Sequence, residues 1–147
     1  MKKTKKASRN AVEEIHFKTA RELDWRDITA DVRERVRQAG YTFGMVNVFV
    51  PGSTGSVVLI EAEKGLLDDL LRICDEVVPR EREYEHEKRW HDGNGHSHLR
   101  ATLCGESVSV PIFEGELALG AWQQIVFIEF DIHPRNRRLI VSCTGAS

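Results

Sequence analysis

A chain of 147 residues holds about one domain, so two catalytic domains side by side are excluded. Its 41% hydrophobic and 30% charged residues suit a folded globule and exclude both a disordered and a collagen-like polymer. With 21 Lys and Arg against 23 Asp and Glu, the formal net charge of −2 lacks the cationic excess of a protein held by nucleic-acid phosphates.

Residues 1–10 read as a disordered basic tail, because five of the first nine side chains are Lys or Arg. Ser8-Arg9-Asn10 and Glu13-Glu14 stand where an export signal would need an apolar core. Residues 11–147 are then one domain. An amphipathic helix is expected over 27–40, with Ile28, Val32, Val36 and Ala39 on one face, Asp27 or Thr29 as N-cap and Gly40 at the end. Strands follow at 45–50 and 56–60, broken by Pro51-Gly52-Ser53-Thr54-Gly55. A second helix over 65–78 presents Leu66, Leu67, Leu70, Leu71 and Ile73, and Pro79 ends it. Charge dominates 80–89, and Asp92-Gly93-Asn94-Gly95 reads as a loop delivering His96-Ser97-His98. Strands are expected at 107–113, 116–119, 122–131 and 138–144, with Glu114-Gly115 as a tight hairpin turn. Trp122 and Gln123 are expected to support the core. The fold class is α+β: an antiparallel, sandwich-like or rolled sheet with two main helices.

No apolar run approaches the roughly 20 residues that cross a bilayer, so no membrane partner is expected. Cys74, Cys104 and Cys143 are odd in number, widely spaced and free of any CxxC pair, which argues against a disulfide framework and for a reducing cytoplasm.

Several groups can carry chemistry. On an extended chain His96 and His98 point to one side and can share a divalent ion, zinc being favoured by imidazoles; His86, His91, Glu61 or Glu63 would complete the ligands. Without metal the same pair offers an acid and a base, and the plain alternative is a pair of hydrogen-bonded or solvated histidines. Glu61 and Glu63 can bind metal or move a proton; alternatively they cap the helix that follows. Ser53 and Thr54 suit a phosphate or carboxylate oxygen, or merely a β-turn. Arg135, Arg137 and Arg138 suit a phosphorylated ligand, or else they balance Glu129 and Asp131 in a hairpin.

Taken together, Asp27-Ile28-Thr29, Val48-Phe49-Val50-Pro51-Gly52-Ser53-Thr54, Ile60-Glu61-Ala62-Glu63, the block Asp92 to Ala101, and Ser107 to Ile112 leading to Gly120-Ala121-Trp122-Gln123 resemble the YjbQ-like family, often described as secondary thiamine-phosphate synthases. The resemblance spans about residues 15–145. It implies a sheet-rich α+β homotrimer with a site near subunit boundaries and a histidine-centred metal or anion site. Ser53, Thr54, Asn94, Arg135 and Arg137 would bind phosphate, His86, His96 and His98 the metal, and His96, His98, Glu61 and Glu63 would serve catalysis. The implied reaction is transfer, in which a thiazole phosphate's ring nitrogen displaces pyrophosphate from a hydroxymethylpyrimidine diphosphate. The alternative is a non-catalytic trimer that binds metal or a phosphometabolite. One departure is visible: many members carry His-Thr-Thr where this chain reads Gly52-Ser53-Thr54.

Overall fold

A computed structural model describes the backbone from residue 9 and the side chains from residue 11 through residue 147. Most of the sequence-predicted basic tail therefore lies outside the described residues. Arg9 and Asn10 already belong to a strand, β1 (Arg9–Lys18), which pairs along its length with the C-terminal β8 (Asn136–Ala146). On its other side β8 pairs with β3 (Phe43–Phe49), β3 pairs with β5 (Ser107–Phe113), and β5 pairs with the short β6 (Glu116–Leu117), giving the order β1-β8-β3-β5-β6. A second sheet has the order β2-β7-β4, with β2 at Trp25–Asp27, β7 at Gln124–Glu129 and β4 at Gly55–Ile60. Every pairing is antiparallel. Hence the α+β class with a curled antiparallel body is what the chain adopts.

Period-two alternation explains the larger sheet. Val46, Val48, Val110, Ile112, Leu139 and Val141 point inward, where they meet Val57, Ile125 and Phe127 of the smaller sheet and Ile28, Val32 and Val36. Helix α1 (Thr29–Ala39) lies in that core and stops at Gly40, whose left-handed φ of 69° lets its N–H reach the Val36 and Arg37 carbonyls. Strand β7 is apolar on both faces because both are covered: Ile125 and Phe127 face the first core, while Val126 and Ile128 face a second one with Leu67, Ala101 and Phe130. At the β5–β6 turn Glu114 and Gly115 have φ of 52° and 83°, the two left-handed residues that a two-residue hairpin needs.

Helix α2 (Lys64–Val77) begins at Glu63, whose carboxylate accepts from the Gly65 and Leu66 N–H groups at 2.6 and 2.8 Å. That is the capping alternative for Glu63, and it places this carboxylate in the helix start. Glu63→Ala is expected to lower unfolding free energy by about 1 kcal/mol, read from the urea midpoint at unchanged slope.

Two further helices stand where charge and loop were expected: α3 (Glu85–Trp90) and α4 (Gly95–Cys104). Helix α4 buries Gly95, His96, Ser97, Arg100 and Ala101, so its inner face is mostly polar and leaves no apolar period to read. Trp122 is also corrected: it is 74% exposed beside an exposed Gln123 and supports no core. Gln123 instead accepts from the Gly120 N–H, forming the turn that leads into β7. No helix among the described residues is long and apolar enough to cross a membrane.

Candidate functional site

The turn between α3 and α4 is built around one carboxylate. Glu87 accepts from the Gly93 N–H at 2.8 Å and the Gly95 N–H at 2.6 Å, drawing the connecting loop back over α3. His91 ends α3 in a left-handed conformation at φ 53°, and Gly93 repeats it at 73°. Asp92 follows, with Oδ1 accepting from the Asn94 N–H at 3.0 Å. Its carboxyl is held below the usual value, first by that N–H and then, against partial desolvation, by the His86 and His98 rings.

This loop faces His98. His86 Nε2 stands 3.2 Å from Asp92 Oδ2, and the His86 and His98 rings meet edge to face with centroids 4.6 Å apart. One ligand atom each from His86, Asp92 and His98 lies within 4.8 Å of the others. The Ser53 carbonyl accepts from His98 Nδ1 at 3.1 Å. A carbonyl can only accept, so the proton sits on Nδ1 and the lone pair of Nε2 is left for a ligand, the arrangement that orients metal-binding histidines. Two imidazoles and a carboxylate suit zinc, and three protein ligands leave a fourth tetrahedral position for water or substrate. The donors present therefore fit a divalent ion.

His96 is placed elsewhere, which corrects the HxH reading. Two positions along a helix turn the side chain by about 200°, so His96 points away from His98 where a strand would have aligned them. It is 2% exposed, and its Nε2 lies 2.6 Å from Glu22 Oε1. Arg100, also 2% exposed, approaches the same carboxylate oxygen at 3.5 Å and reaches Asp75 at 2.7 Å and the Val78 carbonyl at 2.9 Å. His96 thus belongs to a buried ionic group that ties α4 to the ends of α2 and β1's following loop. Glu61 sits exposed before the α2 cap.

The groups read as phosphate ligands form a third set. Thr54 Oγ1 donates to Asp131 Oδ2 and accepts from Arg137 Nη2, both at 2.9 Å. Arg137 grips Glu129 through Nε at 2.7 Å and through Nη2. Arg135 Nε donates to Asp131 at 2.8 Å, and Arg138 reaches Glu14 at 3.0 Å. Asn94 spans the layers: its Nδ2 faces Asp131 Oδ1 at 3.4 Å, while its Oδ1 accepts from Ser97 Oγ at 2.9 Å and the Ile132 N–H at 3.2 Å. Each of these arginines thus meets a carboxylate, the balanced hairpin of the plain alternative, and the network anchors the Ser53-Thr54 corner behind His98. Gly52 makes room for it, since a Cβ there would stand 3.0 Å from Arg137 Nη1. Asp92 is the third donor atom in reach of His86 and His98. Sequence reading missed Asp92; its signal was an acid directly before the Gly93-Asn94-Gly95 turn and six positions after His86.

Fold and site together define a two-sheet α+β protein that gathers two imidazoles and a carboxylate at the mouth of a buried, charge-paired network. A sequence profile described as UPF0047 protein YjbQ-like matches residues 13–146, and the chain belongs to that family. It is 44% identical over 128 residues to a UPF0047 protein of Archaeoglobus fulgidus, covering 87% of this chain and 97% of that one. Against the UPF0047 protein YugU of Bacillus subtilis the identity is 33% over 132 residues, covering 89% and 97%. Among solved structures, a YbjQ-like protein of unknown function from Sulfolobus solfataricus superposes with a TM-score of 0.90 at 33% identity, covering 95% of this chain and 99% of that one.

Proposed function

We propose that the chain is a divalent-metal protein acting on phosphorylated small molecules, with His86, Asp92 and His98 as ligands and thiamine-phosphate-synthase-like transfer as its reaction. The observation that carries this reading is the convergence of those three donors within 4.8 Å, with His98 oriented through Nδ1 by the Ser53 carbonyl. A bound zinc would supply a Lewis acid for the charge that grows on a departing diphosphate. The chain's own part is positional: Ser53 fixes the His98 ring, Glu87 fixes the loop that carries Asp92, and the Thr54–Arg137–Glu129 network keeps the corner from moving. Zinc is the favoured cofactor and the cytoplasm the proposed location.

The partner in this reading is a second and third copy of the chain. Strand alternation should place polar residues on the outer face of the larger sheet, yet Phe43, Met45, Phe49 and Phe113 are exposed there, Phe43 and Phe113 in edge-to-face contact at 5.4 Å. Light scattering is expected to give three times the chain mass; a monomer at micromolar concentration would count against the trimer.

One observation favours the non-catalytic alternative. On the His96 side of α4, a cleft of about 780 Å³ is lined by Trp25 and by five cations, among them Lys64, Arg80 and Arg100, which are paired there with Asp68, Glu22 and Asp75. An indole beside Lys64 and Arg80, which are exposed, suits a phosphorylated aromatic metabolite, and their surface ion pairs are weak enough to yield to it, whereas Arg100 stays buried beneath. A thermal-shift series with pyrimidine diphosphate and thiazole phosphate, followed by product analysis, separates the two. A binding module at a hundredfold excess over Kd gains about 2.7 kcal/mol and releases its ligand unchanged. The transferase instead releases pyrophosphate, and only with both substrates present.

A further inference from the structure

Cys74 and Cys104 take no part in the site described above, yet 30 positions of separation collapse to an Sγ–Sγ distance of 3.9 Å. Cys74 lies in the last third of α2 and Cys104 closes α4, and both are half-buried. Cys143 is not part of the pair, being 2% exposed in the main core on β8. A disulfide needs sulfurs at about 2.05 Å, so a movement of about 2 Å completes the bond. Gly105 follows Cys104 at φ 92°, with nothing within 4 Å of where a Cβ would stand, so no side chain crowds the end of α4.

We propose that Cys74 and Cys104 form a reversible dithiol–disulfide site joining α2 to α4, in which hydrogen peroxide reacts at Cys74 and Cys104 resolves the product. The thiol–thiol hydrogen bond with Cys104, together with the positive charge of Arg100, brings Cys74 down to about 7 against the opposing effect of burial. Cys104 moves the other way, raised by the same hydrogen bond and by burial. One sulfur is thus poised as thiolate while its neighbour keeps its proton.

The chemistry closes on these two residues and one oxidant. The Cys74 thiolate attacks an oxygen of hydrogen peroxide, the O–O bond breaks, and a sulfenic acid forms with release of hydroxide, which takes up the proton Cys74 lost on ionising. Cys104 Sγ then attacks Cys74 Sγ and the S–O bond breaks. The departing hydroxyl leaves as water with the Cys104 proton. In sum two thiols lose two electrons and two protons, and the peroxide becomes water.

Trypsin places the three cysteines in separate peptides, Ile73–Arg80, Ala101–Arg135 and Leu139–Ser147, which makes the test direct. The full chain is treated with hydrogen peroxide, alkylated and digested without reductant. The expected product is Ile73–Arg80 joined to Ala101–Arg135, lighter by two hydrogen atoms and separated by dithiothreitol, with Cys143 alkylated. Cys104→Ser is expected to trap a dimedone-reactive sulfenic acid on Cys74, and Cys74→Ser to leave Cys104 a thiol at the same dose. Alanine variants serve where serine impairs folding, and the unmutated chain alone decides the crosslink. Separate oxidation of Cys74 and Cys104 to sulfinic acids, a bridge to Cys143, or two unreacted thiols would each overturn the proposal.

Discussion

Arg137→Ala is expected to remove about 3–5 kcal/mol of stability, the largest single loss among the site-network substitutions. Glu129 is 0% exposed and Arg137 8%, so alanine leaves a carboxylate in the interior without its cation. Thr19 Oγ1 and the Asp131 N–H still donate to that carboxylate, yet neither carries charge. Since small domains have about 5–15 kcal/mol in total, the variant should sit near the edge of folding. Arg137→Lys keeps the charge but loses the fork that reaches Glu129 and Thr54 together, and should fall between the two. Urea denaturation followed by circular dichroism measures the series, and an unchanged midpoint in Arg137→Ala would show that the network is not what holds the corner.

The same network gives an acid limit. Desolvation raises the Asp131 carboxyl, but the His133 N–H, Arg135 and Thr54 outweigh it and the net shift is downward from 3.8. A group depressed in the folded state contributes stability above its ordinary value and loses it as pH falls through the folded one. Stability should therefore decline below about pH 4 in the parent, and more weakly in Asp131→Asn.

His98→Ala carries the second large effect, on activity and not on stability. Its expected loss is about a hundredfold in kcat/KM, or about 2.7 kcal/mol of transition-state stabilisation. The imidazole is only partly buried, and among the described residues it bonds the Ser53 carbonyl and touches the His86 ring, so the melting temperature should stay nearly constant. His96→Ala should show the reverse, because the side chain is 2% exposed and its removal leaves a cavity and takes from Glu22 the partner at 2.6 Å. If both variants lose turnover alike while both remain folded, the division between the two faces of α4 is wrong.

That division marks how much of the site was legible. Strands with clear alternation or a continuous apolar run, such as β3, β5 and β7, and helices with an apolar stripe and end signals, α1 and α2, follow from local residues alone. Helix α4 does not, because the partners of its polar inner face arrive from elsewhere: Glu22 from 74 positions away for His96, and Asp131 from 37 for Asn94. The spacing of His96 and His98 has opposite meanings on a strand and on a helix, and nothing local decides between them. His98 was legible in its spacing from His96, and His86 as one of several groups able to complete that pair, whereas Asp92 emerges only once α3 and α4 fold back on each other. Cys74 and Cys104 were read as unrelated for the same reason, their contact being made by packing alone.

Metal content tests the His86–Asp92–His98 assignment most directly. The chain, purified without a histidine tag from zinc-supplemented growth, is subjected to elemental analysis beside His98→Ala and His96→Ala. The expected result is a single zinc per chain in the parent and in His96→Ala, and almost none in His98→Ala. Equal metal in all three proteins, or none in the parent, would contradict it.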